Sequence, residues 1–275
     1  MPPGNTAAHD LPSEFMTPLD YFLAAIAALL IGVSKAGFGG GTAILATPLM
    51  ALVVPPHMAL GTLLPLLIVG DFVSCWLYRG VWRWQPLLYF LPGCTLGILL
   101  GTFLLGRIDE TTLQQILGAI CLTFCAIQWA RHTLNRNVSA IHPGWSSGSG
   151  FGIATGVTST LAHAAGPVFA MYLLPMQLPQ RIYMATTVLG FTLINLLKLP
   201  AYLSVGTINA ATSLHSLRLA VWVVVGAFAG EWLNRHCPAP LFKRIVYLIL
   251  FLTGLELISG KSLLRTLFAF ATATP

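Results

Sequence analysis

The sequence predicts an all-α integral membrane protein of about ten hydrophobic helices, paired as two inverted five-helix repeats with broken helices at the midplane. Three observations carry this expectation. Only 8% of the 275 residues are charged while 56% are hydrophobic, and a soluble domain averages about 25% charged. The apolar residues fall into runs at about 19–34, 41–54, 58–78, 86–105, 112–130, 149–163, 167–177, 182–204, 216–233 and 241–259. Most of these are near the roughly 20 residues a helix needs to cross a bilayer. Sliding the chain along itself by 124 residues puts Gly32-Val33 on Gly156-Val157, Pro55 on Pro179, Thr62 on Thr186 and Tyr78 on Tyr202. A slightly larger shift pairs Gly97 and Gly101 with Gly226 and Gly230.

Taken in order, residues 1–18 form a Pro-rich tail with Asp10 and Glu14 and no Lys or Arg. A cleaved signal peptide has a basic n-region, so Leu19 onward reads as a retained first span and the tail as extracytoplasmic. Residues 19–130 make the first repeat, 131–148 a polar Gly/Ser-rich cytoplasmic linker, 149–260 the second repeat and 261–275 a C-terminal tail. An odd number of crossings per half inverts the second half relative to the first.

The basic residues orient the chain. With ten crossings and the N-terminus outside, Lys35, Arg79, Arg83, Arg131, Arg136, Arg181, Arg235, Lys243 and Arg244 fall in the cytoplasm. Arg107, Arg218, Lys261 and Arg265 fall outside, nine against four. If runs 41–54 and 167–177 are re-entrant, eight crossings remain and the split is seven against six. The positive-inside bias favours ten crossings in the cell membrane, read as a bacterial inner membrane. Trp82 and Trp84, beside Arg83, read as interface anchors.

The formal charge of +6 is spread singly between apolar runs, which excludes a nucleic-acid face. The partners expected are a small anion and the lipid bilayer, with assembly into a homo-oligomer left open. Cys75, Cys94, Cys121, Cys125 and Cys237 form no Cys-x-x-Cys pair or His/Cys ligand cluster, so neither a metal nor a disulfide framework is expected. No Walker loop, dinucleotide fingerprint or nucleophile motif is present, and no cofactor is expected.

Two stretches break the apolar pattern. Gly32 to Thr42 reads Gly-Val-Ser-Lys-Ala-Gly-Phe-Gly-Gly-Gly-Thr, and the second is His163-Ala164-Ala165-Gly166-Pro167. Glycine is poor in a helix interior, so the first stretch is expected to interrupt its helix. Freed backbone groups survive in a membrane only inside protein or along a polar cavity. Half-helix N-termini starting after Gly39 and after Gly166 would aim N–H groups at the midplane and attract an anion. Close helix packing by small residues is the alternative, and it is the preferred reading for Gly97/Gly101 and Gly226/Gly230.

The candidate substrate-binding residues are Lys35, Gly39, Gly40, Gly41, Thr42, His163, Gly166, Asn195 and Lys198. Lys198 lies three residues beyond Asn195, on nearly the same helix face. Lys35 could instead be a topology charge, Lys198 a snorkelling side chain, and His163 a partner for freed backbone. Asp71 is the candidate for proton or ion coupling, because an intramembrane carboxylate marks an ion path by default. Its mate at the 124-residue shift is Asn195, so one copy of the position can ionise. A carboxylate bonded to backbone at a helix crossing is the structural alternative.

These residues carry a resemblance. Gly32 to Pro48, Gly61-Thr62, Tyr78-Arg79-Gly80 with Trp84, His163 to Leu174, and Asn195-Leu196-Leu197-Lys198-Leu199 with Tyr202 and Gly206 resemble the TauE/SafE sulfite-exporter family of membrane permeases. The resemblance covers about 20 to 260. It implies transport of small anions, often sulfur-containing ones such as sulfite or organosulfonates, with exporters and importers both represented. The chain departs from the family at the second break, where Ala165 and Val168 stand in a pattern of paired glycines followed by prolines. The expected function is a secondary transporter of a small anion working by alternating access. The alternatives are a passive anion pore and a membrane-embedded enzyme using His163 and Asp71.

Overall fold

A computed structural model describes residues 18–38, 43–134, 144–236 and, further on, 248, 250–252, 254–255 and 257–259. Among the described residues every regular element is helical. The first half holds α1 (Pro18–Phe38), a 3-10 turn (Ala43–Leu45), α2 (Ala46–Ala51), α3 (Pro56–Leu77), α4 (Trp84–Leu105) and α5 (Glu110–Leu134). The second holds α6 (Trp145–Ala162), α7 (Ala165–Leu173), a 3-10 turn (Leu174–Met176), α8 (Gln180–Ser204) and α9 (Ala210–His236). Further helical residues lie between Leu250 and Ser259. Six helices are long and apolar enough to cross a membrane: those in α1, α3, α4, α5, α8 and α9.

Local sequence explains where the long helices begin. Pro55 and Pro179 precede α3 and α8 with nearly equal backbone angles (φ −51, ψ 142 and φ −50, ψ 139). Each is extended, which ends the preceding segment, and in α3 Pro56 occupies a first-turn position that needs no N–H partner. Asp109 accepts from the Thr112 amide (3.1 Å) and hydroxyl, capping α5. Those bonds hold its carboxyl below the ordinary aspartate range. The cap is therefore intact above that range and weakens as pH falls through the lowered value. In Asp109→Asn, which caps without a charge, amide exchange in the first turn of α5 should lose this acid dependence.

Glycines set how the helices pack, and they correct one expectation. The sequence placed a helix break from Gly32 onward, but α1 continues through Gly32 and Lys35 to Phe38. A Cβ on Gly32 would overlap the Val223 carbonyl and lie 2.5 Å from Ala227 N and 2.8 Å from the Gly226 carbonyl carbon. Backbone contact with α9 thus explains Gly32 better than unwinding does. On the other side of the molecule, a Cβ on Gly156 would overlap the Cys94 carbonyl and lie 2.7 Å from Ile98 N and 2.8 Å from the Gly97 carbonyl carbon. In the same way Gly226 sits on Leu29 of α1 and Gly97 on Ile153 of α6. Two helix pairs, α1–α9 and α4–α6, are therefore in backbone contact.

Helix directions follow from contacts. Gly32 meets Val223 and Gly37 meets Gly230, while Thr62 meets Ser216 and Gly70 meets Val223, so α1, α9 and α3 all run the same way. Gly93 meets Ser149 and Gly97 meets Ile153, while Arg83 meets Thr186 and Leu87 meets Gly190, so α4, α6 and α8 also share one sense. Cys75 lies beside Thr192 and Asp71 beside Asn195, so α3 and α8 run antiparallel. Outward-facing Leu96, Leu99 and Phe103 on α4 and Val225, Phe228 and Trp232 on α9 are exposed, as lipid-facing residues are.

Candidate functional site

The second break is present. α6 ends at Ala162, and His163 takes a left-handed conformation (φ 51, ψ 26) before α7 begins at Ala165. The half-helix thus starts before Gly166 rather than after it, and Gly166 lies in its first turn. A left-handed histidine costs roughly 1–2 kcal/mol, and its surroundings hold it there. Its backbone N–H donates to the Ser159 carbonyl (2.9 Å), and the Ala164 N–H donates to the Thr158 carbonyl (3.2 Å). Gly39, Gly40, Gly41 and Thr42, expected to form the first half-site, lie outside the described residues.

The His163 ring is fixed at both nitrogens. Nε2 is 3.0 Å from the Leu60 carbonyl, and since that oxygen can only accept, Nε2 carries the proton. Nδ1 is then the acceptor for the Lys198 ammonium at 2.8 Å. Lys198 also donates to the Ser159 carbonyl at 3.2 Å. It is fully buried (0% exposed), with its Nζ 5.8 Å from the centre of the Tyr202 ring. A snorkelling lysine would reach water, so the structure rules that alternative out here.

Lys35 and Asp71 form a buried ion pair. The remaining Asp71 oxygen accepts from Asn195 Nδ2 at 2.6 Å. Lys35 is only 3% exposed, sits in the last turn of α1 rather than in a break, and stands 5.5 Å from the Phe191 ring centre. A topology charge would lie in water, so that alternative fails as well. Lys35 sits in the last turn of α1, and the Lys198 ammonium reaches the last turn of α6 at Ser159, places where the backbone dipole favours a cation.

One small cavity joins these groups. Lys35, Ser159, His163, Gly166, Phe191 and Asn195 are among the residues lining it, and its volume is about 20 Å3. That is room for about one water. The described candidates from both halves therefore converge: Lys35, His163, Gly166 and Asn195 on the cavity, Asp71 and Lys198 one hydrogen bond behind it. Sequence reasoning missed that Lys35 and Asp71 pair with each other. They lie 36 residues apart on different helices, and only the parallel packing of α1 and α3 brings them together.

Lys35 and Asp71 pair with each other, and among the described residues no carboxylate lies within ion-pairing distance of Lys198, on which Asp71 acts only from further off. An uncompensated buried cation is costly, and a bound anion would relieve it.

The family model for the sulfite exporter TauE/SafE matches residues 24–257, which spans both halves and all of these groups. The chain belongs to the TauE/SafE family. Among curated proteins, the TauE/SafE chain is 28% identical over 198 residues to the probable inner membrane transporter protein TsaS of Comamonas testosteroni. That match covers 70% of this chain and 81% of TsaS. No solved structure matches this TauE/SafE protein. Family and relative together make it a membrane transporter of the TauE/SafE type.

Proposed function

We propose that this transporter carries a small anion of the sulfite or organosulfonate class across the inner membrane, by alternating access between two inverted halves. The observation that carries the reading is the buried Lys198–His163 pair, which no described carboxylate touches and which adjoins a cavity shared by both halves. An oxyanion there would accept from basic side chains and from the first turn of α7. The cavity is too small for such an anion as it stands, which fits an occluded state and speaks against an open pore. Both ring nitrogens of His163 and both oxygens of Asp71 are engaged, which speaks against an enzyme using them as acid and base. Asp71, paired across the halves, is the group proposed to couple transport to protons or ions.

Several contacts support the inverted halves. The neighbours of Gly32 (Val223, Gly226, Ala227) correspond one for one to those of Gly156 (Cys94, Gly97, Ile98) at a shift of 129. Asp71 meets its own mate Asn195 across antiparallel helices. The parallel run of α1 and α3 supports a chain that returns between them, hence ten crossings.

Lys198→Ala tests the anion site. Losing one charged hydrogen-bond donor costs about 1.5–3 kcal/mol, so sulfite affinity should fall roughly 10- to 150-fold. Isothermal titration of sulfite into purified parent and variant would read this. Unchanged affinity in a folded variant would assign Lys198 to structure alone.

A further inference from the structure

We propose that Tyr78 and Tyr202 are a matched pair of gates, one at each end of the buried cluster, and that this structure has the Tyr78 end poised to open and the Tyr202 end locked. The proposal rests on the alternating-access reading and adds to it the residues that move. Tyr78 donates its hydroxyl to the Ala36 carbonyl, and Tyr202 donates its hydroxyl to the Thr160 carbonyl. Donors and acceptors are each 124 residues apart, so one contact has been kept in both halves.

The chemistry of helix ends explains why. Ala36 and Thr160 lie in the last turns of α1 and α6, which end at Phe38 and Ala162. Carbonyls there have no partner within the helix. Each tyrosine fills that need from the third helix of its own half, tying α3 to the end of α1 and α8 to the end of α6. Withdrawing the ring strands a carbonyl inside the protein, so ring and helix end must move together.

The two ends differ in state. The Tyr78 bond is 3.3 Å long, and its ring is partly exposed on a cavity of about 450 Å3 lined also by Ala36, Gln180, Arg181 and Glu231. That vestibule lies on the side where Arg79 and Arg181 are exposed, which is cytoplasmic in the proposed orientation. The Tyr202 bond is 2.5 Å long, and its ring is fully buried among Leu60, Leu64, Leu105, Leu113 and Leu161. Its ring centre lies 5.8 Å from that of His163, so this tyrosine walls the Lys198–His163 pair off from the opposite side. Opening at Tyr202, ring and helix end together, with tightening at Tyr78 exchanges these environments and turns the site over.

Cysteine accessibility tests the gates without any substrate. A36C and T160C are each introduced into the full chain in sealed, oriented membrane vesicles and treated with a membrane-impermeant thiol reagent, the parent chain giving the background. A36C, buried at the floor of the vestibule, should react slowly from that side, and T160C, which lines no such cavity, should be protected. Adding Tyr202→Phe should raise the T160C rate about five-fold, the loss of one hydrogen bond, from the opposite side while A36C slows. Tyr78→Phe should have the reverse sign. Both rates rising together, or neither changing, would overturn the gates and leave the anion site untouched. Labelling of A36C and T160C from one and the same side would overturn the inverted halves themselves, and the gates with them.

Discussion

Asp71→Asn is expected to lower stability by about 3–5 kcal/mol, as removal of one partner from a buried ion pair does. The substitution keeps shape and can still bond Asn195, but it leaves the Lys35 ammonium buried, 3% exposed, with no counter-charge. Thermal unfolding in lipid nanodiscs should show the drop directly. Lys35→Met added to Asp71→Asn should recover most of it, because replacing both partners of a buried pair is often neutral. That double variant should still exchange substrate between equal pools, at higher substrate concentration because the Lys35 ammonium is gone from the cavity, yet fail to accumulate it under a proton gradient at any concentration. Accumulation equal to the parent would make Asp71 a structural carboxylate only.

Gly156→Leu is expected to be at least as damaging to assembly of the fold. The first atom added meets backbone of α4, so no rotamer of the new side chain can avoid the overlap. Overpacking typically costs 1–3 kcal/mol and occasionally more, and here a whole helix must move. Gly32→Leu should fail to a similar degree, because its neighbours on α9 occupy corresponding positions. Gly150→Ala is the control: it lies in α6 with open space where its Cβ would go, so it should be neutral or gain about 0.5–1 kcal/mol. Yield and monodispersity after detergent extraction would rank the three. A severe Gly32→Leu beside a harmless Gly156→Leu would break the equivalence of the two helix pairs.

Much of this was legible in the sequence because it depends on local composition. Apolar runs predict helices, and the run 58–78 differs from α3 by only a few residues. The second break was legible because His163-Ala164 is followed by a residue pattern that restarts a helix. Gly32 was misread, since glycine serves both a break and a close contact, and only the partner helix decides between them. The pairing of Lys35 with Asp71 and of Lys198 with His163 was not legible at all. Each needs the register of two helices packed side by side, and no periodicity within one helix reports that.

The contact between Asp71 and Asn195 has a consequence for how such a chain could arise. Under the proposed inverted repeat, a residue that touches its own mate lies on the pseudo-twofold axis. In a dimer of identical ancestral halves that position had to suit itself, as every residue on an isologous axis must. Two amides can do so, and two carboxyls can if they share a proton. An acid facing an amide cannot occur between identical subunits. Divergence of two initially identical halves is what permits Asp71 on one side and Asn195 on the other, so under the proposed repeat the asymmetry of this pair is later than the duplication.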